Sequence, residues 1–208
     1  MKRIFLILTL ISILPSFRIA NPKVLLYIQD NSLDLAFMLT KEVGKMSELL
    51  KEAGFDVIIA TISGDELKAD QIIVKPDIKL SQVDINEISG LIIPCMAPDD
   101  TIVTSEEKNL IRKFVNAGKP VAAQTSAVLL LAKSNALKDK KYAFPKNNMI
   151  GPDMFPEFKS GIYSGTGVIQ DGNIITSGTC PMETKMTGLD EGTSDLTNKL
   201  IRAIKDKN

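Results

Sequence analysis

The sequence predicts an α/β fold: a mainly parallel sheet covered by helices on both faces. Three observations carry this. Short apolar runs of the buried-strand kind alternate with amphipathic helical stretches along the chain. The helical stretches carry start and stop residues where their periodicity begins and ends. No internal repeat, low-complexity run or long linker divides the chain after residue 20, and 208 residues suit one such domain.

The elements follow in order. Residues 23–28 (KVLLYI) form a buried strand. Leu35, Met38, Leu39, Val43, Met46, Leu49 and Leu50 then recur at mostly three- and four-residue spacing, and Gly54 ends that helix. Residues 56–61 (DVIIAT) form the next strand. Residues 72–80 are extended, with Pro76 marking an edge or an excursion. Residues 89–94 (SGLIIP) form a third buried strand. A helix over 104–117 opens on the capping box Thr104-x-x-Glu107 and closes at Gly118. Residues 120–124 (PVAAQ) run as a strand into a helix over 126–135, and residues 141–144 make a short strand. Asp171-Gly172 joins two strands as a hairpin, and residues 196–204 form the closing helix. Sites in such folds lie at the carboxyl ends of the strands. Here those ends are Gln29-Asp30, Pro94-Cys95, Gln124-Thr125 and Ser177-Gly178.

Residues 1–20 have the layout of a secretory signal peptide. Lys2 and Arg3 precede an eleven-residue run interrupted only by Thr9 and Ser12, and Pro15-Ser16 breaks it. The run is short for a membrane span. The expected protein is therefore exported, periplasmic or secreted, with a mature domain over residues 21–208 and no stable membrane association. Removing Lys2, Arg3 and Arg18 leaves 22 basic against 25 acidic residues.

Composition excludes several chemistries. The full chain carries 25 basic and 25 acidic residues, which argues against a nucleic-acid binder. It has no His, which removes the commonest general base and every Ser-His or Cys-His pair. Two Cys without His make no Cys/His zinc site. No metal and no cofactor are expected. Asp30 and Asp99-Asp100 lack cation-ligand spacing and read as loop caps.

Four stretches resemble the ThiJ/PfpI superfamily, related to class I glutamine amidotransferases. Residues 83–96 (VDINEISGLIIPCM) are similar to the segment that ends in Pro-Gly-Gly in relatives. Residues 118–131 (GKPVAAQTSAVLLL) are similar to its strand, nucleophile elbow and following helix. Residues 135–144 resemble a later Leu-Lys-x-Lys-Lys segment, and residues 168–177 (VIQDGNIITS) the hairpin before the final loop. The resemblance implies a flavodoxin-like three-layer sandwich, usually dimeric. Members include Cys-dependent glyoxalases, deglycases, peptidases and chaperones.

The resemblance places Thr125 at the family's nucleophilic Cys and Ser126 just after it. A hydroxyl there needs a base, and the chain has no His. The elbow strains its nucleophile, and β-branched Thr tolerates positive φ badly, so the elbow is relaxed or Thr125 is a bystander. Ser126 is expected to cap the helix that follows. The family's Glu falls near Leu39 or Thr40; a shift brings in Glu42, which otherwise reads as a solvated helix residue. Cys95 stands where relatives have the first Gly of Pro-Gly-Gly, and Cys180 in a loop that borders the elbow. A Cys95–Cys180 disulfide, worth about 4 kcal/mol by loop closure, stands against a reactive Cys95 and against two unpaired thiols. Residues 182–195 read as an insertion, either a flap or a plain surface loop. Three functions follow. The first is a non-classical member of the family that binds a small ligand or partner at the strand-end cleft without covalent Cys catalysis. The second is an enzyme acting on small carbonyl or amide substrates through Cys95 or Ser126, with Glu42 as acid/base. The third is a structural or stress-related homodimer.

Overall fold

The computed structural model describes residues 21–30, 32, 35–95 and 103–207. Residues 1–20, with the signal-peptide reading, lie outside this set, as do Asp99 and Asp100. Among the described residues, no helix is long and apolar enough to cross a membrane.

The chain opens with β1 (Lys23–Tyr27), then α1 (Leu35–Met38), a π-helical turn (Leu39–Val43) and α2 (Gly44–Glu52). Strand β2 (Asp56–Thr61) follows, then β3 (Leu67–Ala69), β4 (Ile72–Val74) and β5 (Ile78–Lys79). Next come β6 (Ile88–Ile93), α3 (Ser105–Asn116), β7 (Val121–Gln124) and α4 (Val128–Lys133). The last third holds β8 (Lys141–Tyr142), β9 (Ile162–Tyr163), β10 (Val168–Asp171), β11 (Ile174–Ser177), α5 (Pro181–Thr187) and α6 (Thr193–Lys205).

Seven strands form one sheet in the order β10-β11-β7-β6-β1-β2-β5. Every pairing is parallel except the β10–β11 hairpin, which turns at Asp171-Gly172 as the sequence predicts. Period-two alternation sorts the strand residues onto two faces. Leu25, Tyr27, Leu91, Ile93, Val121 and Ala123 pack with Ile111 and Phe114 of α3 and Val128 and Leu131 of α4. Val24, Leu26, Ile92, Ala122 and Ile175 pack with Met46 and Leu50 of α2 and Leu196, Leu200 and Ile204 of α6. The result is the flavodoxin-like three-layer sandwich. Each of these side chains is buried, and burial of that kind contributes about 1.5–3 kcal/mol per large apolar residue.

Local chemistry explains the helix ends. Thr104 accepts the Glu107 N–H at 3.2 Å, and the Glu107 carboxylate accepts the Thr104 N–H at 2.7 Å, completing the capping box. Glu107 is itself buried and accepts a 2.7 Å hydrogen bond from the Tyr27 hydroxyl, so the cap of α3 is tied to β1. Lys119 donates to the carbonyls of Ile85 and Ile88 and fixes the turn before β7 to the start of β6. Gly54 ends α2 at φ 88°.

Two sequence expectations change. The extended run 72–80 does not stay in one sheet: β3 and β4 form a separate antiparallel pair, and β5 joins the main sheet as its edge. Pro76, between them, has no N–H for a ladder. Residues 182–195 are not a plain loop, since α5 and the first turn of α6 occupy most of them.

Candidate active site at the strand ends

Four neighbouring strands deliver the site. In the order β11-β7-β6-β1, their carboxyl ends lie side by side. Chain connections run one way from β1 to β2 and the other from β6 to β7, so the sheet reverses direction between β1 and β6. Such a switch point opens a crevice. Cys95 follows β6, Thr125 follows β7 and Cys180 follows β11.

The elbow is intact. Thr125 has φ 45°, in the left-handed region, immediately after β7. Of the two alternatives, a relaxed elbow is thereby removed and Thr125 as a bystander stays open. Strain of this kind costs on the order of 1–3 kcal/mol and persists only where surrounding packing imposes it. Thr125 is 3 % exposed, and its hydroxyl has no hydrogen-bond partner. No base reaches it, so the residue at the nucleophile position has nothing to activate it. Ser126 does not cap the next helix: α4 starts without a side-chain cap. Its hydroxyl instead lies 3.4 Å from the Cys95 sulfur.

Glu42 is the largest correction. It is 0 % exposed, not a solvated helix residue. It sits in the π-helical turn between α1 and α2, and such turns often serve functional sites. One carboxylate oxygen accepts the Cys95 backbone N–H at 2.7 Å; the other has no partner. Burial pushes the Glu42 carboxyl well above the usual carboxylate range, and the nearby Cys180 sulfur adds to that, against the opposing Cys95 N–H. The sequence held a clue to this. Glu42 stands four residues after Met38 and four before Met46, both buried, and so on the inward stripe of the helix.

Cys180 is the residue that sequence reasoning undervalued. It lies in the loop after β11, as expected, and is also the N-cap of α5, with Pro181 at the first helical position. Its thiol is pulled down to about 7. The hydrogen bond from the Cys95 thiol contributes most, and the N–H groups of Glu183 and Met182 add to it against burial. The Thr125 hydroxyl faces the same sulfur and favours the thiolate, without the geometry of a full hydrogen bond. Cys95 is pushed well up, by its hydrogen bond to Cys180 first, then by burial and the nearby charges. The two thiols titrate as a coupled pair, with the anion favoured on Cys180. Both thiols are free.

The donor atoms of Glu42, Cys95 and Cys180 all lie within 4.8 Å of one another. Two sulfurs and a carboxylate are one ligand short of a closed structural metal site. A cavity of about 120 Å³ opens onto the two sulfurs, lined by Met38, Cys95, Thr125, Ser126, Cys180 and Met182 among others, with Glu42 buried behind them. Gln124, fully buried, holds the Cys180 loop by donating to the Thr179 carbonyl at 2.7 Å and to the Thr193 hydroxyl at 2.9 Å. Asp30 stands apart from this group and accepts the N–H groups of Ile62 and Ser63, as a loop cap does.

One family model, that of the DJ-1/PfpI family, matches residues 22–187. The chain belongs to the DJ-1/PfpI family. An uncharacterised protein from Archaeoglobus fulgidus is 28 % identical over 131 residues, covering 62 % of this chain and 75 % of that protein. Among solved structures, a ThiJ/PfpI domain protein from Brachyspira murdochii superposes with a TM-score of 0.67 at 15 % identity, covering 89 % of this chain and 98 % of the other. DJ-1beta from Drosophila melanogaster does so with a TM-score of 0.62 at 20 % identity, covering 90 % and 97 %. Both structures share the flavodoxin-like fold with this DJ-1/PfpI chain.

Proposed function

We propose that this protein binds a small carbonyl compound in the strand-end cavity and adds the Cys180 sulfur to it. The observation that carries the reading is the position of Cys180. Its sulfur faces the strained elbow, borders the cavity and lies within 4.8 Å of the Glu42 carboxyl. The nucleophile has moved from the elbow residue to the loop facing it.

The chemistry balances within the site. With its thiol pulled down to about 7, Cys180 offers a thiolate at neutral pH. The thiolate attacks the carbonyl carbon, a C–S bond forms, and the π electron pair goes to oxygen. Burial raises the Glu42 carboxyl and favours its protonated form, which gives its proton to that oxygen, leaving a hemithioacetal. The cavity volume of about 120 Å³ is well below the roughly 300–1,000 Å³ of drug-sized pockets, which restricts the ligand to a few heavy atoms.

A second reading, ligand binding without any covalent step, has one observation in its favour. The elbow hydroxyl has no partner and the chain has no His. One experiment separates the two. Loss of glyoxal or methylglyoxal is followed with reduced protein, beside the rate of Cys180 alkylation. Aldehyde loss that disappears in Cys180→Ser, with alkylation slowed by the aldehyde, supports the carbonyl reading. Aldehyde loss that survives Cys180→Ser and disappears in Thr125→Ala overturns it. Protection of Cys180 without turnover favours simple binding. The reading also takes the protein as an exported homodimer, which the mass of the secreted chain and light scattering test.

A further inference from the structure

We propose that Cys180 and Cys95 reduce a hydroperoxide together, Cys180 as the attacking thiol and Cys95 as the resolving one, and close as a disulfide across the cleft. This rests on the same Cys180 sulfur as the carbonyl reading but adds a second substrate class and a role for Cys95.

Geometry brings the two thiols together. The two residues come from different elements, Cys95 after β6 and Cys180 at the start of α5, yet their sulfurs lie within 4.8 Å. A disulfide needs about 2.05 Å, so closure takes a movement of less than about 3 Å. The N–H groups of Met182 and Glu183 favour the anion at Cys180. The Cys95 sulfur lies 3.4 Å from the Ser126 hydroxyl, and the neighbouring Cys180 and burial push its thiol up. The unpartnered, buried oxygen of Glu42 shares this space. Three acidic groups are packed here out of water, and such a cluster carries few negative charges at once. Joining the sulfurs removes two of the three.

The steps balance. The Cys180 thiolate attacks the nearer oxygen of the peroxide, the O–O bond breaks, and the departing alkoxide takes the Glu42 proton to leave as an alcohol, or as water from hydrogen peroxide. Cys180 is now a sulfenic acid. The Cys95 sulfur attacks the Cys180 sulfur, the S–S bond forms, and the hydroxyl leaves as water with the Cys95 proton. Glu42 regains its proton from solvent. The peroxide gains two electrons, and each sulfur gives one.

The test treats the reduced full chain with one equivalent of hydrogen peroxide at pH 7. The expected product is lighter by two hydrogens, resists maleimide at both Cys and is restored by dithiothreitol. Cys95→Ala is expected to stop at a sulfenic acid that dimedone traps on Cys180. Cys180→Ser is expected to react at least roughly tenfold more slowly, because an ordinary thiol has only a few per cent thiolate at pH 7. Oxygen additions to Cys180 without a disulfide, or a disulfide only between two chains, overturn the proposal. Aldehyde loss without peroxide-driven closure removes this inference alone. Closure without aldehyde loss removes the carbonyl reading alone.

Discussion

The Glu42 carboxylate accepts the backbone N–H of Cys95 at 2.7 Å, across 53 residues of sequence. That bond fastens the π-helical turn over one face of the sheet to the loop leaving β6. It places a buried acid against two thiols and an unactivated elbow hydroxyl. The DJ-1/PfpI chain thus carries two thiols and a buried acid at its strand-end cleft.

Glu42→Gln is expected to raise stability near neutral pH and to slow carbonyl addition. Below about pH 4.3 both folded and unfolded chains hold this proton. Above it the unfolded chain releases a proton that the folded chain keeps, because burial raises the folded carboxyl. Folding therefore loses stability as pH rises from there, until the folded carboxyl ionises too. Glutamine keeps the acceptor for Cys95 and removes that slope. Thermal melts from pH 4 to 8 check it; a Tm gain of roughly 2–4 °C corresponds to about 1 kcal/mol. An unchanged slope would show that Glu42 is ionised in the folded protein.

Alkylation of Cys180 by iodoacetamide is expected to rise through a midpoint at about pH 7. Cys95→Ala removes the largest contribution and moves that midpoint up towards the ordinary value of about 8.5. Peptide mapping at a series of pH values reads both. A midpoint that ignores Cys95→Ala would refute the hydrogen bond between the thiols.

Thr125→Gly is expected to stabilise the fold by about 1 kcal/mol. It releases the left-handed strain at φ 45° and deletes an unpartnered hydroxyl. Against this stand a lost methyl, about 0.8 kcal/mol, and the greater freedom of Gly in the unfolded chain, roughly 0.5–1 kcal/mol. Urea denaturation distinguishes this from Thr125→Ala, which keeps the strain and should gain less.

Gly178→Ala should do the opposite. An added Cβ would lie 2.7 Å from the Phe144 backbone and 2.8 Å from the Thr166 Cα, neither of which can swing away. A cost of about 1–3 kcal/mol is expected. Gly178 lies two residues before Cys180, so its alkylation midpoint should also rise. Wild-type stability together with a wild-type midpoint would contradict the packing.

Much of this was legible in the sequence. Apolar runs at period two and stripes near period 3.6 mark the layers, because burial of a face is written in residues close along the chain. The Thr104 capping box, the Asp171-Gly172 hairpin and the Gly54 stop each depend on two to four neighbouring residues. Strand ends, and with them the position of the cleft, follow from those elements. Family likeness came from the spacing of the same segments.

The sequence by itself thus determined the three-layer architecture, the cleft and the absence of any His-dependent chemistry. Only the tertiary structure decided which groups do the work there. It turned Glu42 inward through a π-helical turn, set Cys180 at the head of α5 and brought its sulfur to Cys95. The reason is that protonation and reactivity depend on burial and on partners far away along the chain. Local pattern specifies which face a residue takes. It does not specify what meets it there.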